Sequence, residues 1–245
     1  MPDAMGEPSN RLIIALDYPS LAPALDMADR IGDRVGMLKV GLELFNSAGP
    51  RAIEALRERG ARVFYDSKFC DIPNTVAGAA AAAARMGVSM LNVHTLGGRA
   101  MMAAAKEGAL RGAQEAGVPA PTVIGVTILT SLGDREVQDE LGLTDMGRQA
   151  VLRLALLAQE AGLDGVVAAA REVPDIKRLC GTDFVIVTPG VRPTWAAAGD
   201  QSRVATPSEA LAAGAYYPVV GRPITRAQDP EQALARIASE LQAAE

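Results

Sequence analysis

A chain of 245 residues is long enough for one large domain, and 49% hydrophobic against 22% charged residues is the balance of a soluble globular protein rather than a membrane protein. The net charge of -5 gives no electrostatic footprint for nucleic acid, so the expected partner is a small molecule, with any anion held in a local basic pocket. Two cysteines far apart, Cys70 and Cys180, argue against a disulfide framework and a zinc site, and a single histidine leaves no histidine set for a metal.

The first ten residues carry Asp3, Glu7 and two prolines but no apolar stretch, so residues 1–10 are predicted to be a flexible tail rather than a signal peptide. No apolar run is long enough to span a bilayer, and a cytoplasmic setting is expected. From there short aliphatic runs recur at 11–16, 37–41, 62–65, 90–93, 123–129, 165–168, 184–187 and 216–220. Alanine- and leucine-rich segments at 52–59, 75–86, 99–116, 147–161 and 230–244 have the periodicity of amphipathic helices. Apolar strands separated by crossover helices imply a parallel sheet covered on its outer face. Eight such units in about 230 residues suit a closed (β/α)8 TIM barrel, predicted as one domain over residues 11–245. The alternative, an open doubly wound sheet, would place a glycine-rich turn after the first strand, where Asp17, Tyr18, Pro19 and Ser20 stand instead. Pro218 conflicts locally with the eighth strand, because it lacks the N–H of a ladder bond.

In a barrel of this kind the loops after the strands build the active site, so the residues that close each apolar run carry the chemistry. The first run ends in Asp17, the second contains Lys39, the third leads into Asp66 and Lys68, the fourth into His94, and the fifth into Thr130 and Ser131. Only four lysines occur in the chain, and two of them fall in or at the end of strands. Asp66 and Lys68, two apart, are predicted to share a strand face. Neighbouring strands lie roughly 4.8 Å apart, which makes Asp17, Lys39, Asp66 and Lys68 one cluster of alternating charge. A salt-bridge network closing the barrel end is the plain reading of such a cluster, and a functional array is the competing one. Asp71 has two readings as well, as an N-cap of the helix that Pro73 opens or as a catalytic neighbour of Lys68. His94 is taken as a structural hydrogen-bonding residue.

The loops after the last two strands have the composition of a phosphate site. Pro189, Gly190 and Arg192 follow the seventh run, Gln201 lies further along, and Gly221 with Arg222 follows the eighth. Glycine permits close backbone approach, and arginine supplies a fixed charged fork. The connection through Trp195 is long enough to act as a lid, and a plain crossover fits its composition equally.

Residues Asp66-Ser67-Lys68-Phe69-Cys70-Asp71-Ile72-Pro73-Asn74-Thr75 resemble the Asp-x-Lys-x-x-Asp-Ile-Pro-Asn-Thr signature of the orotidine 5'-monophosphate decarboxylase family. Asp17, Lys39, His94, Thr130-Ser131, Arg192, Gln201 and Gly221-Arg222 sit in short motifs in that family's order, so the likeness spans nearly the whole chain. Ser67, Cys70, Tyr216 and Pro218 depart from the usual pattern outside its fixed positions. The resemblance implies a (β/α)8 barrel that decarboxylates orotidine 5'-monophosphate to uridine 5'-monophosphate, the last step of de novo pyrimidine (UMP) synthesis, with no cofactor and no metal. It implies that Lys68, Asp66, Asp71 and Lys39 form the catalytic set. Lys68 would donate the proton, Asp66 would face the substrate carboxylate, and Asp17 with Lys39 would touch the ribose. Thr130 and Ser131 would lie by the pyrimidine, and Arg192, Gln201, Gly221 and Arg222 would serve the phosphate. Asp71 and Thr75 would reach the partner's site, implying a homodimer with active sites at its interface. Two other functions stand against this one: a magnesium-dependent sugar-phosphate aldolase or decarboxylase sharing Asp-x-Lys-x-x-Asp, and a non-catalytic phosphate-ligand binding protein on the same barrel.

Overall fold

The computed structural model describes residues 8–143, 147–196 and 205–243. Eight parallel strands close on themselves in sequence order: β1 (Ile13–Ala15), β2 (Met37–Val40), β3 (Val63–Phe69), β4 (Met90–His94), β5 (Thr122–Val126), β6 (Gly165–Val167), β7 (Val185–Thr188) and β8 (Tyr217–Val220). Around them run α1 (Leu21–Ile31), α2 (Leu42–Ala48), α3 (Arg51–Glu58), α4 (Pro73–Arg85), α5 (Gly98–Ala116), α6 (Asp134–Asp139), α7 (Gly147–Glu160), α8 (Val173–Cys180), α9 (Pro207–Ala212), α10 (Arg222–Thr225) and α11 (Pro230–Gln242). The predicted barrel is therefore the observed one, and no open sheet edge remains to be covered.

Strand parity sorts the core into two layers. Ile13, Ala15, Met37, Phe64, Met90, Ile124, Val187, Tyr217 and Val219 point inward and plug the barrel. Ile14, Leu38, Val63, Leu91, Val123, Val166 and Ile186 point outward against the helices. Phe64 is the largest of the inward plug residues that are almost wholly buried. Burial of a side chain of that size stabilises by roughly 1.5–3 kcal/mol. Helices α4 and α5 approach backbone to backbone, because a Cβ on Gly108 would lie 2.2 Å from the Ala77 carbonyl oxygen.

Several local expectations need correction. Pro8–Arg11 form a 3-10 turn; Ser9 is buried and the Arg11 guanidinium donates to the Ala215 carbonyl at 2.9 Å. Residues 8–10 therefore do not belong to a loose tail, and the rest of the expected tail, 1–7, lies outside the described residues. Strand β5 ends at Val126, and Ile128 and Leu129 line a cavity instead of pairing. Pro218 does belong to β8, opposite Thr188, the final residue of β7, so its missing N–H removes only the last rung of that ladder. Two residues earlier the backbone N–H of Tyr216 donates to the Ile186 carbonyl at 2.8 Å.

Candidate active site

Two residues beyond the last plug residue of β1, β2, β3, β4, β7 and β8 the inward-facing position turns polar or small, whereas on β5 Ile124 is followed by apolar Val126. Ala15 gives way to Asp17, Met37 to Lys39, Phe64 to Asp66, Met90 to Asn92, Val187 to Pro189 and Val219 to Gly221. All of these replacements line one or both of two cavities at the C-terminal mouth, of about 200 and 220 Å³, which share Lys39, Asp66, Pro189 and Val219. The first has an apolar wall that includes Phe64, Val126, Ile128, Val167 and Val187, with Lys68 and Thr130 at its polar side. The second is lined by Asp17, Gly190, Arg192, Gly221 and Arg222. The mouth is thus one cleft, apolar at one end and cationic at the other.

The charged array sits where the two cavities meet. Lys39 Nζ lies 3.2 Å from Asp17 Oδ1 and 3.2 Å from Asp66 Oδ2, and Lys68 Nζ lies 2.6 Å from Asp66 Oδ1. Asn92 Nδ2 donates to the same Asp66 Oδ1 at 2.7 Å. Burial alone would push the Asp66 carboxyl up; the Lys39 and Lys68 ammoniums, with the hydrogen bonds from Lys68 and Asn92, outweigh it and hold the group below the usual carboxylate range. Space for Lys39 comes from Gly41, on which a Cβ would stand 3.0 Å from the ammonium nitrogen.

The route by which Asp66 and Lys68 reach one cavity is not the regular alternation expected of them. Lys68 has φ of +50°, the one positive value for a non-glycine among the described residues. The β3–β4 register shifts there, four residues from Tyr65 to Phe69 spanning two from Leu91 to Val93. Asn92 accepts the Lys68 N–H at 2.7 Å with its side-chain oxygen, and its backbone carbonyl accepts the Ser67 hydroxyl at 2.9 Å. Motif reading passed over Asn92, although the two-residue step from Met90 places it in the polar layer.

Of the residues expected at the site, the chain brings together Asp17, Lys39, Asp66, Lys68, Thr130, Arg192, Gly221 and Arg222. Arg192 is buried, and its N–H donates to the Ala205 carbonyl at 2.9 Å, closing the neck of the long connection after β7. Trp195 of that connection donates to Glu240 at 2.8 Å and lies under the Arg236 guanidinium at 4.7 Å. Gln201 lies outside the described residues. Ser131 is exposed and lines neither cavity. Asp71 and Thr75 are exposed on the rim and do not join the array of their own chain. Asp71 is not the helix cap either: its carboxylate accepts the next N–H, of Ile72, at 2.6 Å, and Ile72 holds the cap position of α4.

His94 ends β4, and its Nδ1 is buried without a partner among the described residues. Burial and the Lys68 charge lower its basicity, and the Asp66 carboxylate offsets part of this. A depressed folded value means that the unfolded chain takes up this proton first as pH falls, so the stability is whole above the ordinary value of 6.5 and declines below it. With one histidine in the chain, the free energy of unfolding should fall as the solution is taken from about pH 7.5 to about pH 5.5, by no more than about 1.4 kcal/mol per pH unit, and the melting temperature should fall with it. His94→Gln should flatten that slope; an unchanged slope in the variant would assign it to other groups.

No cluster of three or more His, Cys, Asp or Glu side chains suited to a metal ion occurs among the described residues. The profile of the Orotidine 5'-phosphate decarboxylase / HUMPS family matches residues 10–237. The Orotidine 5'-phosphate decarboxylase of Moorella thermoacetica is 53% identical over 233 residues, covering 95% of this chain and 92% of the relative. That of Alkalilimnicola ehrlichii is 54% identical over 234 residues, covering 96% and 97%. The crystal structure of Orotidine 5'-phosphate decarboxylase from Lactobacillus acidophilus superimposes with a TM-score of 0.82 at 38% identity, covering 94% of this chain and 98% of that one.

Proposed function

The chain belongs to the Orotidine 5'-phosphate decarboxylase / HUMPS family, and we propose from that premise how its residues divide the work of converting orotidine 5'-monophosphate to uridine 5'-monophosphate. The observation that carries the proposal is the Asp17–Lys39–Asp66–Lys68 array at the junction of an apolar and an arginine-lined cavity. A nucleotide has the matching polarity: a flat ring at one end, ribose hydroxyls in the middle and a dianionic phosphate at the other.

Loss of CO₂ breaks the bond between ring carbon and carboxylate and leaves its electron pair in the plane of the ring, where no π-system spreads it. Stabilisation must then come from charge already in place. The Lys68 ammonium, oriented by Asp66 before substrate arrives, supplies that charge and then gives its proton to the same carbon, so that CO₂ and the neutral ring product result. Asp17 and Lys39 serve the ribose, Thr130 the pyrimidine, and Arg192, Arg222 and the Gly221 backbone the phosphate. Gln201 is assigned to the phosphate on the family likeness alone.

The magnesium-dependent sugar-phosphate reading gains less from this geometry. Asp66 would be its natural ligand, but Oδ1 is taken by Lys68 and Asn92 and Oδ2 faces Lys39, donors that repel a divalent cation or compete with it. Mixing chelator-treated protein with orotidine 5'-monophosphate and following loss of its ultraviolet absorbance tests substrate, reaction and metal independence together. Rapid conversion is expected; no conversion, or conversion restored only by magnesium, would overturn the reading.

A homodimer belongs to the same proposal. Exposed Leu42, Ile72, Leu96 and Leu129 follow β2, β3, β4 and β5 in turn, an apolar rim that also carries Asp71 and Thr75. In a two-fold pairing over that rim, Asp71 and Thr75 enter the neighbour's cleft. Ile72→Glu is expected to give monomers by sedimentation and to lose most turnover, whereas an active monomer would refute the shared site. No helix among the described residues is long and apolar enough to cross a membrane, and the two free thiols, Cys70 and Cys180, fit a cytoplasmic setting.

A further inference from the structure

The two-residue excess on β3 removes the ordinary ladder partners of Asp66, Ser67 and Lys68. One residue of β4 replaces them all. Asn92 binds the Asp66 carboxylate through Nδ2, the Ser67 hydroxyl through its backbone carbonyl, and the Lys68 N–H through Oδ1. It is 1% exposed and cannot exchange these partners for water. Tyr65 and Phe69, with ring centroids 5.8 Å apart, flank the bulge on either side.

The chemistry of the partners fixes the amide in one orientation. A carboxylate oxygen only accepts and a backbone N–H only donates, so turning the amide over would set oxygen against oxygen and N–H against N–H. No other side chain meets both demands at this distance. Aspartate would keep the acceptor but lose the donor and place a second carboxylate against Asp66. Glutamine is a methylene too long, and an aliphatic residue satisfies neither group.

Lys68 meanwhile holds a left-handed backbone, φ +50°, that L-residues avoid unless their surroundings impose it. The bond from its N–H to Asn92 is the constraint that the structure shows for that backbone, and the bond from Asn92 to Asp66 ties the carboxylate that orients its ammonium. Backbone and side chain of the proton donor are therefore referred to one amide.

We infer that Asn92 is a positioning residue for decarboxylation, a bidentate clamp that fixes the Lys68 backbone and the Asp66 carboxylate relative to each other. The inference rests on the decarboxylase reading and adds a residue to it. Asn92 acts through Asp66 and Lys68, so its loss should lower turnover while leaving the ribose and phosphate contacts as they are.

Turnover of the unaltered protein is measured first: if it releases no CO₂ from orotidine 5'-monophosphate, the decarboxylase reading fails and takes this one with it. Given an active parent, Asn92→Ala should lower kcat by about 10²-fold, the effect of displacing a reacting group by roughly an ångström. Its dissociation constant for uridine 5'-monophosphate should stay within about threefold of the parent, since uniform binding is untouched. A kcat within about threefold of the parent, or parallel loss of kcat and nucleotide affinity, would overturn the assignment. Should Asn92→Ala fail to fold, Asn92→Asp decides the matter by its pH profile. A proton shared between the two carboxyls would restore a donor to Asp66, so kcat relative to the parent should rise at least about tenfold from about pH 8 to about pH 5.5. A flat ratio would refute the clamp, because a merely space-filling role has no proton to recover.

Discussion

Lys68→Ala should bind the nucleotide and release almost no CO₂. The ammonium is asked to do two things, to stabilise the in-plane carbanion and to end its life by protonation. Preorganised charge of this kind is worth about 10²–10³-fold and positioned proton transfer about 10²–10⁴-fold, so a loss of at least about 10⁴-fold in kcat is expected. The fold should survive the change. Asp66 keeps Lys39 at 3.2 Å and Asn92 at 2.7 Å, so its buried carboxylate is not left unpaired. Alanine tolerates φ +50° no worse than lysine does. With the phosphate held at the arginine end of the cleft as proposed, affinity for uridine 5'-monophosphate should change little. Single-turnover CO₂ release, read beside a binding isotherm for the product, checks both halves. A folded variant with near-normal turnover would remove Lys68 from the chemistry and leave the array as a salt-bridge network.

Barrel closure and the position of this array were both legible from the chain, for a shared reason. Inward side chains recur every second residue, so on β1 to β4 the inward row passes from apolar to polar where it leaves the core, while β5 and β6 keep it apolar and supply the wall of the first cavity. Lys39 shows this most plainly, a lysine two residues past Met37 in an otherwise aliphatic run. Asn92 obeys the same rule two residues past Met90, but a neutral amide inside a short run carries no charge to draw notice. The bulge at Lys68 left less trace. A positive φ at lysine has no compositional sign, and regular alternation predicts the same shared mouth through a different backbone. Asp71 and Thr75 are marked by the family likeness and not by strand parity. Their motif marks them, yet the single chain holds them exposed on its rim, and the proposed pairing with a second copy is what would give them a site. Regular strand parity and spacing bring charges of neighbouring strands together on paper, whereas a neutral clamp across an irregular ladder, such as Asn92 against the bulge at Lys68, requires the assembled geometry.

Arg222→Ala should fail mainly in the other direction, with KM raised and kcat far less affected. Arg222 opens α10 directly after β8 and lines the cavity that also holds Gly190 and Arg192, at the end of the cleft away from Lys68. Hydrogen bonds to a charged partner contribute about 1.5–3 kcal/mol, so KM should rise by about 10–150-fold. Saturating substrate should recover kcat to within about tenfold, the remainder reflecting the share of phosphate binding energy used to align the ring over Lys68. Arg222→Lys should recover only part of the affinity, because an ammonium offers a point charge where the guanidinium offers a planar fork. Orotidine without its phosphate supplies the control. If Arg222 acts through the phosphate, parent and Arg222→Ala must turn over the bare nucleoside at the same low rate. A difference between them on that substrate would show that the arginine shapes the ring site itself. An unchanged KM for the full nucleotide would move the phosphate away from β8 altogether.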